Sequence, residues 1–147
     1  MNRIFKVQIE AELENQGLAR AVAAAYATEF DPTVEELTEI KTAVSEAFSN
    51  AVIHGYPEKM EHKDIVEMEF ATIPDKTLVI KVRDSGVGIE NIALAMEPLF
   101  TTDTDDERSG MGFTVMESFM DKIKVDSKPG KGTCVTMIKK LDTYYEI

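Results

Sequence analysis

With 147 residues, 44% hydrophobic and 29% charged, and no low-complexity run, the chain has the composition of one ordinary globular domain rather than a disordered or fibrous segment. A formal net charge of −11 argues against binding a nucleic-acid phosphate backbone and fits either plain solubility or a basic protein partner. The single cysteine, Cys134, excludes a disulfide framework and suits a reducing cytoplasm, and no apolar run reaches membrane-spanning length.

In chain order, Ile4 to Ile9 alternate as a first strand of mixed faces. An alanine-rich segment from about Asn15 to Phe30 carries Leu18, Ala21, Val22 and Ala25 at helical spacing, and Asp31-Pro32 stops it. Thr33 with Glu36 three residues on is a capping box, and it opens a second helix with Leu37, Ile40, Val44, Ala47, Phe48 and Ala51 as one apolar stripe. Gly55-Tyr56-Pro57 ends it. Two strands follow, with Val66, Met68 and Phe70 on one face of the first and Leu78, Ile80 and Val82 on one face of the second, across a Pro74-Asp75 turn. A loop-rich stretch from Asp84 to Gly112 holds a short helix over Ile89–Met96. A third long helix runs from Phe113 to Asp121, and strands over Ile123–Ser127 and Thr133–Lys139 close the chain. The order β-α-α-β-β-α-β-β predicts a two-layer α+β sandwich, with helices on one face of a mostly antiparallel mixed sheet.

Four short segments carry chemistry. Asp84 shares parity with Leu78, Ile80 and Val82, so it puts a carboxylate on the inward face, where burial demands hydrogen-bond donors. Gly86 and Gly88 let the backbone turn tightly and approach a flat ligand. Adenine suits that place, because its exocyclic amine donates where guanine offers a carbonyl oxygen. An aspartate before glycine also opens an ordinary Asx turn. Glu46 and Asn50 lie four apart and share one helix face. Asn50 offers magnesium a neutral oxygen, and Glu46 a base for an attacking hydroxyl, although a solvated face explains the pair as well. Gly110-Met111-Gly112 precedes a helix, where free amides face an anion, and Gly132-Thr133 begins the last strand. His54 continues the 46–50 spacing and reads as a structural residue before Gly55, while two histidines and one cysteine give no transition-metal spacing. Arg20 is a lone cation on the alanine-rich helix, solvated or in contact with a partner.

In that order the four segments resemble the ATP-binding fold, of Bergerat type, shared by gyrase, heat-shock protein ninety, histidine kinases and the MutL proteins. SEAFSNAVIHGY, PLFTT and ERSGMGFTVMESFMD resemble more closely the anti-sigma-F factors of spore-forming bacteria, the stage II sporulation protein AB family, and the likeness extends along nearly the whole chain. The resemblance implies a homodimeric, magnesium-dependent serine kinase that uses ATP. It also implies that sigma factor F is held inactive and that a serine is phosphorylated on a small anti-anti-sigma protein. By the same resemblance Glu46 is the catalytic base and Asn50 the magnesium ligand. Asp84, Gly86, Gly88 and Thr133 serve the adenine. Gly110, Met111 and Gly112 serve the phosphates, and a lid over 98–109 adds Thr101, Thr102 and Arg108. Asp103, Asp105, Asp106 and Glu107 make that lid acidic, which is unexpected beside a triphosphate. Two other functions stay open: a histidine-kinase catalytic domain detached from its acceptor helix, and a nucleotide-switched binding module without catalysis.

Overall fold

The computed structural model describes residues 3–57, 64–96 and 112–142. Strand β1 (Arg3–Glu10) leads through a short 3-10 turn into helices α1 (Gln16–Thr28) and α2 (Val34–Asn50), and a π-helical turn, Ala51–Gly55, continues α2. Strands β2 (Ile65–Ile73) and β3 (Thr77–Asp84) form a hairpin, followed by the short helix α3 (Ile92–Ala95), helix α4 (Gly112–Phe119) and the hairpin of β4 (Lys122–Lys128) and β5 (Gly132–Lys140).

The sheet order is β1-β2-β3-β5-β4, and all four pairings are antiparallel, so none of the pairing is mixed among the described strands. The reason lies in the connections. Between β1 and β2 the chain crosses the sheet twice, along α1 and back along α2, and so re-enters antiparallel; a single crossover helix makes parallel neighbours instead. β3 and β4 do run in the same sense, but β5 lies between them.

Helix α2 is the centre of the second layer, packed between α1 and α4. Its start is fixed as the capping box requires: Thr33 Oγ1 accepts from the Glu36 amide at 3.0 Å, and Glu36 Oε1 accepts from the Thr33 amide at 2.8 Å. Ile40, Val44 and Phe48 are fully buried against Val66, Met68, Phe70, Leu78, Ile80 and Val82 of the sheet. Each large side chain so buried contributes about 1.5–3 kcal/mol. Tyr26 joins α1 to the sheet: its ring packs 5.3 Å from that of Phe70, and its hydroxyl donates to the Arg3 carbonyl at 2.8 Å.

Helix α1 keeps only part of the predicted apolar face inward: Val22 packs against the core, but Leu18, Ala21 and Ala25 are exposed. Ala19, Ala23, Tyr26 and Ala27 are buried, while Leu18 keeps 54% of its surface exposed. A row of alanines lets α1 approach α2 closely, and that approach outweighs burying one leucine.

Candidate functional site

The cleft is built at the end of β3, where three segments meet backbone to backbone. Asp84 pairs with Val66 on one side and Thr133 on the other and continues the buried row of Leu78, Ile80 and Val82. Its Oδ1 accepts from the Gly86 amide at 2.9 Å, so the Asx turn is present as well as the inward carboxylate. Burial raises the Asp84 carboxyl pKa above its ordinary value, and hydrogen bonds from the Gly86 and Thr133 amides pull it back.

The π-turn at the end of α2 widens the helix and delivers the Gly55 carbonyl to the Val87 amide at 2.9 Å. This explains Gly86 sterically: a Cβ there would lie 1.8 Å from the Gly55 oxygen. Gly88 has φ of +78°, and its Cβ would lie 2.1 Å from the Lys128 carbonyl oxygen. The sequence marked both glycines as giving a ligand access. The structure gives them a second use, the packing of one backbone on another. Tyr56 ties the same turn from behind, accepting from the Ser85 amide at 2.7 Å and donating to the Ile65 carbonyl at 2.8 Å. Burial raises its phenol pKa.

These segments enclose a cleft of about 550 Å³, within the range of small-molecule sites. Val82, Ile89, Leu94, Phe113 and Val135 supply apolar wall, and Asn50, His54, Asp84 and Thr133 supply polar groups. Gly88 lines it too. Gly112, at the start of α4, stands against Asn50, where an added Cβ would lie 2.6 Å from Nδ2. The helix that follows the proposed phosphate loop is therefore in contact with the proposed magnesium ligand. Glu46 is half-buried one turn before Asn50 and does not line the cleft. Arg20 is exposed on α1 and is not part of it. Thr101, Thr102, Arg108, Gly110 and Met111, with the lid over 98–109, lie outside the described residues. Among the described residues no group of His, Cys, Asp and Glu side chains forms a metal site.

Two contributors escaped the sequence reading. Ser127 shares inward parity with Ile123 and Val125, and its hydroxyl accepts from the Ile89 amide at 2.8 Å and lies 2.7 Å from Thr133 Oγ1. A polar residue on an apolar strand face was the available signal. Tyr56 read only as the end of a helix. His54, expected to be structural, stands in the cleft wall.

Residues 9–139 match the histidine kinase-like ATPase domain family. An anti-sigma F factor of Clostridium acetobutylicum is 57% identical over 136 residues, 92% of either chain. One from Clostridium perfringens is 48% identical over 143 residues, covering 97% of this chain and 100% of that protein. The chain belongs to the anti-sigma F factor family. Among solved structures, one of RsbU and RsbW domains from Mycobacterium tuberculosis aligns with a TM-score of 0.69 at 19% identity, over 95% of this chain and 32% of that one. The histidine kinase domain of a blue-light activated kinase from Erythrobacter litoralis aligns at 0.57 and 19%, over 86% and 61%. These two share the fold. Membership of the histidine kinase-like ATPase domain family implies ATP binding. No described helix is long and apolar enough to cross a membrane.

Proposed function

We propose that this protein is an ATP-dependent anti-sigma factor that holds sigma factor F inactive and phosphorylates a serine of a small anti-anti-sigma protein. One coincidence supports the reading: a chain that aligns almost end to end with anti-sigma F factors also has a cleft of small-molecule size floored by a half-buried carboxylate, held among the described residues by two backbone amides. Asp84 accepts a hydrogen bond from the exocyclic amine of adenine, Gly86 and Gly88 hold the turn that aims it, and the apolar wall takes the ring faces. ATP, with magnesium on its phosphates, supplies the phosphoryl group.

Asn50 offers its side-chain oxygen to the metal, and Gly110, Met111 and Gly112 offer backbone amides to the phosphates. Thr101, Thr102 and Arg108 close on the terminal phosphate from the lid. Glu46, about 5–6 Å from Asn50 along the helix face, accepts the proton of the serine hydroxyl as the new O–P bond forms and ADP departs. Arg20 belongs to a partner surface on α1. The working form is a homodimer in the cytoplasm.

Labelled ATP, magnesium and the cognate anti-anti-sigma protein test the reading. Acid-stable label on a serine of that protein is the expected result, and Glu46→Gln should slow transfer by about 10²–10⁴-fold while ATP still binds. Acid-labile label on histidine would replace the serine-kinase reading. Equal sigma-factor affinity with ATP and ADP would remove the nucleotide switch.

A further inference from the structure

At the floor of the cleft, beside Asp84, stands the hydroxyl of Thr133, and Ser127 governs what that hydroxyl can offer. Ser127 has one proton and two lone pairs to distribute. The Ile89 amide can only donate, and it occupies one lone pair at 2.8 Å. The Gly132 carbonyl can only accept, and it takes the Ser127 proton at 3.0 Å. The remaining lone pair faces Thr133 Oγ1 at 2.7 Å. A single assignment satisfies all three bonds, and in it the Thr133 proton points at Ser127.

We infer that Ser127 is a specificity-determining residue, which by taking the Thr133 proton leaves Thr133 to show only acceptor lone pairs to the cleft. The inference rests on reading the cleft as the base pocket. Asp84, held by two backbone amides, likewise presents acceptor oxygens there. Two neighbouring acceptors select a purine carrying amine N–H donors at that edge. At the exocyclic position they repel an oxo oxygen, which can only accept. Two backbone bonds, from the Ile89 amide and to the Gly132 carbonyl, hold the Ser127 hydroxyl, so Thr133 cannot turn its proton outward without stranding a partner of Ser127. Negative selection against the oxo purine is built into the β4–β5 hairpin.

The test is the ratio of ITP to ATP dissociation constants, measured by competition for one site in the full chain. Because a ratio is read, the fraction of folded protein and any general loosening of the hairpin cancel. The parent should prefer ATP. Ser127→Ala frees the Thr133 proton to meet the oxo group, and the preference should narrow by roughly 3–10-fold, the worth of one hydrogen bond. Ser127→Thr keeps a hydroxyl and should keep the parent ratio. An unchanged ratio in Ser127→Ala overturns the inference while leaving the base pocket intact. An equal drop in Ser127→Thr also overturns it, by assigning the effect to shape. A parent with no preference removes the base-pocket reading itself and this inference with it. Should Ser127→Ala fail to fold, Thr133→Val removes the same acceptor wall, and an unchanged ratio there overturns the inference equally.

Discussion

Two charged side chains point into the helical layer from interior strands, Asp84 at one end of the sheet and Lys139 at the other. Lys139 is 7% exposed and held by two protein partners: Nζ donates to the Phe119 carbonyl at 2.7 Å and pairs with Glu39 Oε1 at 3.0 Å. It closes the C-terminal end of α4 and links it to α2. Among the described residues Asp84 receives two backbone amides, from Gly86 and Thr133, and a carboxylate has about four acceptor positions. The rest of its capacity opens onto a cleft. A buried charge whose partners are all internal is part of the structure. One left with spare capacity at a cleft is poised for a ligand.

The largest expected effect breaks the Asp84 end mechanically. Gly86→Ala puts a methyl 1.8 Å from the Gly55 oxygen, so two backbone segments must part and the hydrogen bond from the Val87 amide to the Gly55 carbonyl is lost. About 3 kcal/mol of stability should go, together with ATP binding, as chemical denaturation and titration would show. Lys139→Met breaks the other end. Removing one member of a buried pair costs about 3–5 kcal/mol, but Glu39 keeps 24% exposure and can rehydrate, so roughly 2–3 kcal/mol is expected. ATP affinity per folded molecule should not change. A loss of affinity in Lys139→Met would merge the two ends and dissolve the comparison.

The smallest effect is in pH. Burial raises the Asp84 pKa in the folded state above the unfolded value. Its contribution to stability is then fully present below the unfolded pKa and lost as pH rises through the folded one. Adenine's amine needs the carboxylate form, so ATP affinity should fall as pH drops through the folded pKa, by at most about tenfold per unit. Asp84→Asn should abolish this slope and leave the titration of the phosphates.

Local chemistry made much of this legible. Thr33 and Glu36 name their helix start unaided, and parity alone put Asp84 on the inward face. The same parity, applied to Val135, Met137 and Lys139, would have found the buried lysine. What stayed hidden depends on segments far apart in the chain. Tyr56 meets Ser85 across 29 residues, and Ser127 meets Ile89 across 38. Nothing near any of these residues in sequence announces its partner. The orientation of α1 was hidden for another reason: close packing of Ala19, Ala23 and Ala27 competes with hydrophobicity, and periodicity weighs only the second. For Gly86 the residue type was informative but its use was not, because the backbone it admits is that of Gly55.

Asp84→Asn tests the central claim most directly, with ATP titrated calorimetrically into parent and mutant while stability is followed by denaturation. The amide exchanges an acceptor for a group that can turn a donor toward the amine. Affinity should fall by about one to two decades, the worth of a charge-assisted hydrogen bond of about 1.5–3 kcal/mol. Stability should hold or rise slightly, because a carboxylate that burial disfavours has been removed. Unchanged ATP affinity in a folded mutant would contradict the account, for Asp84 would then be a turn residue and the base would lie elsewhere.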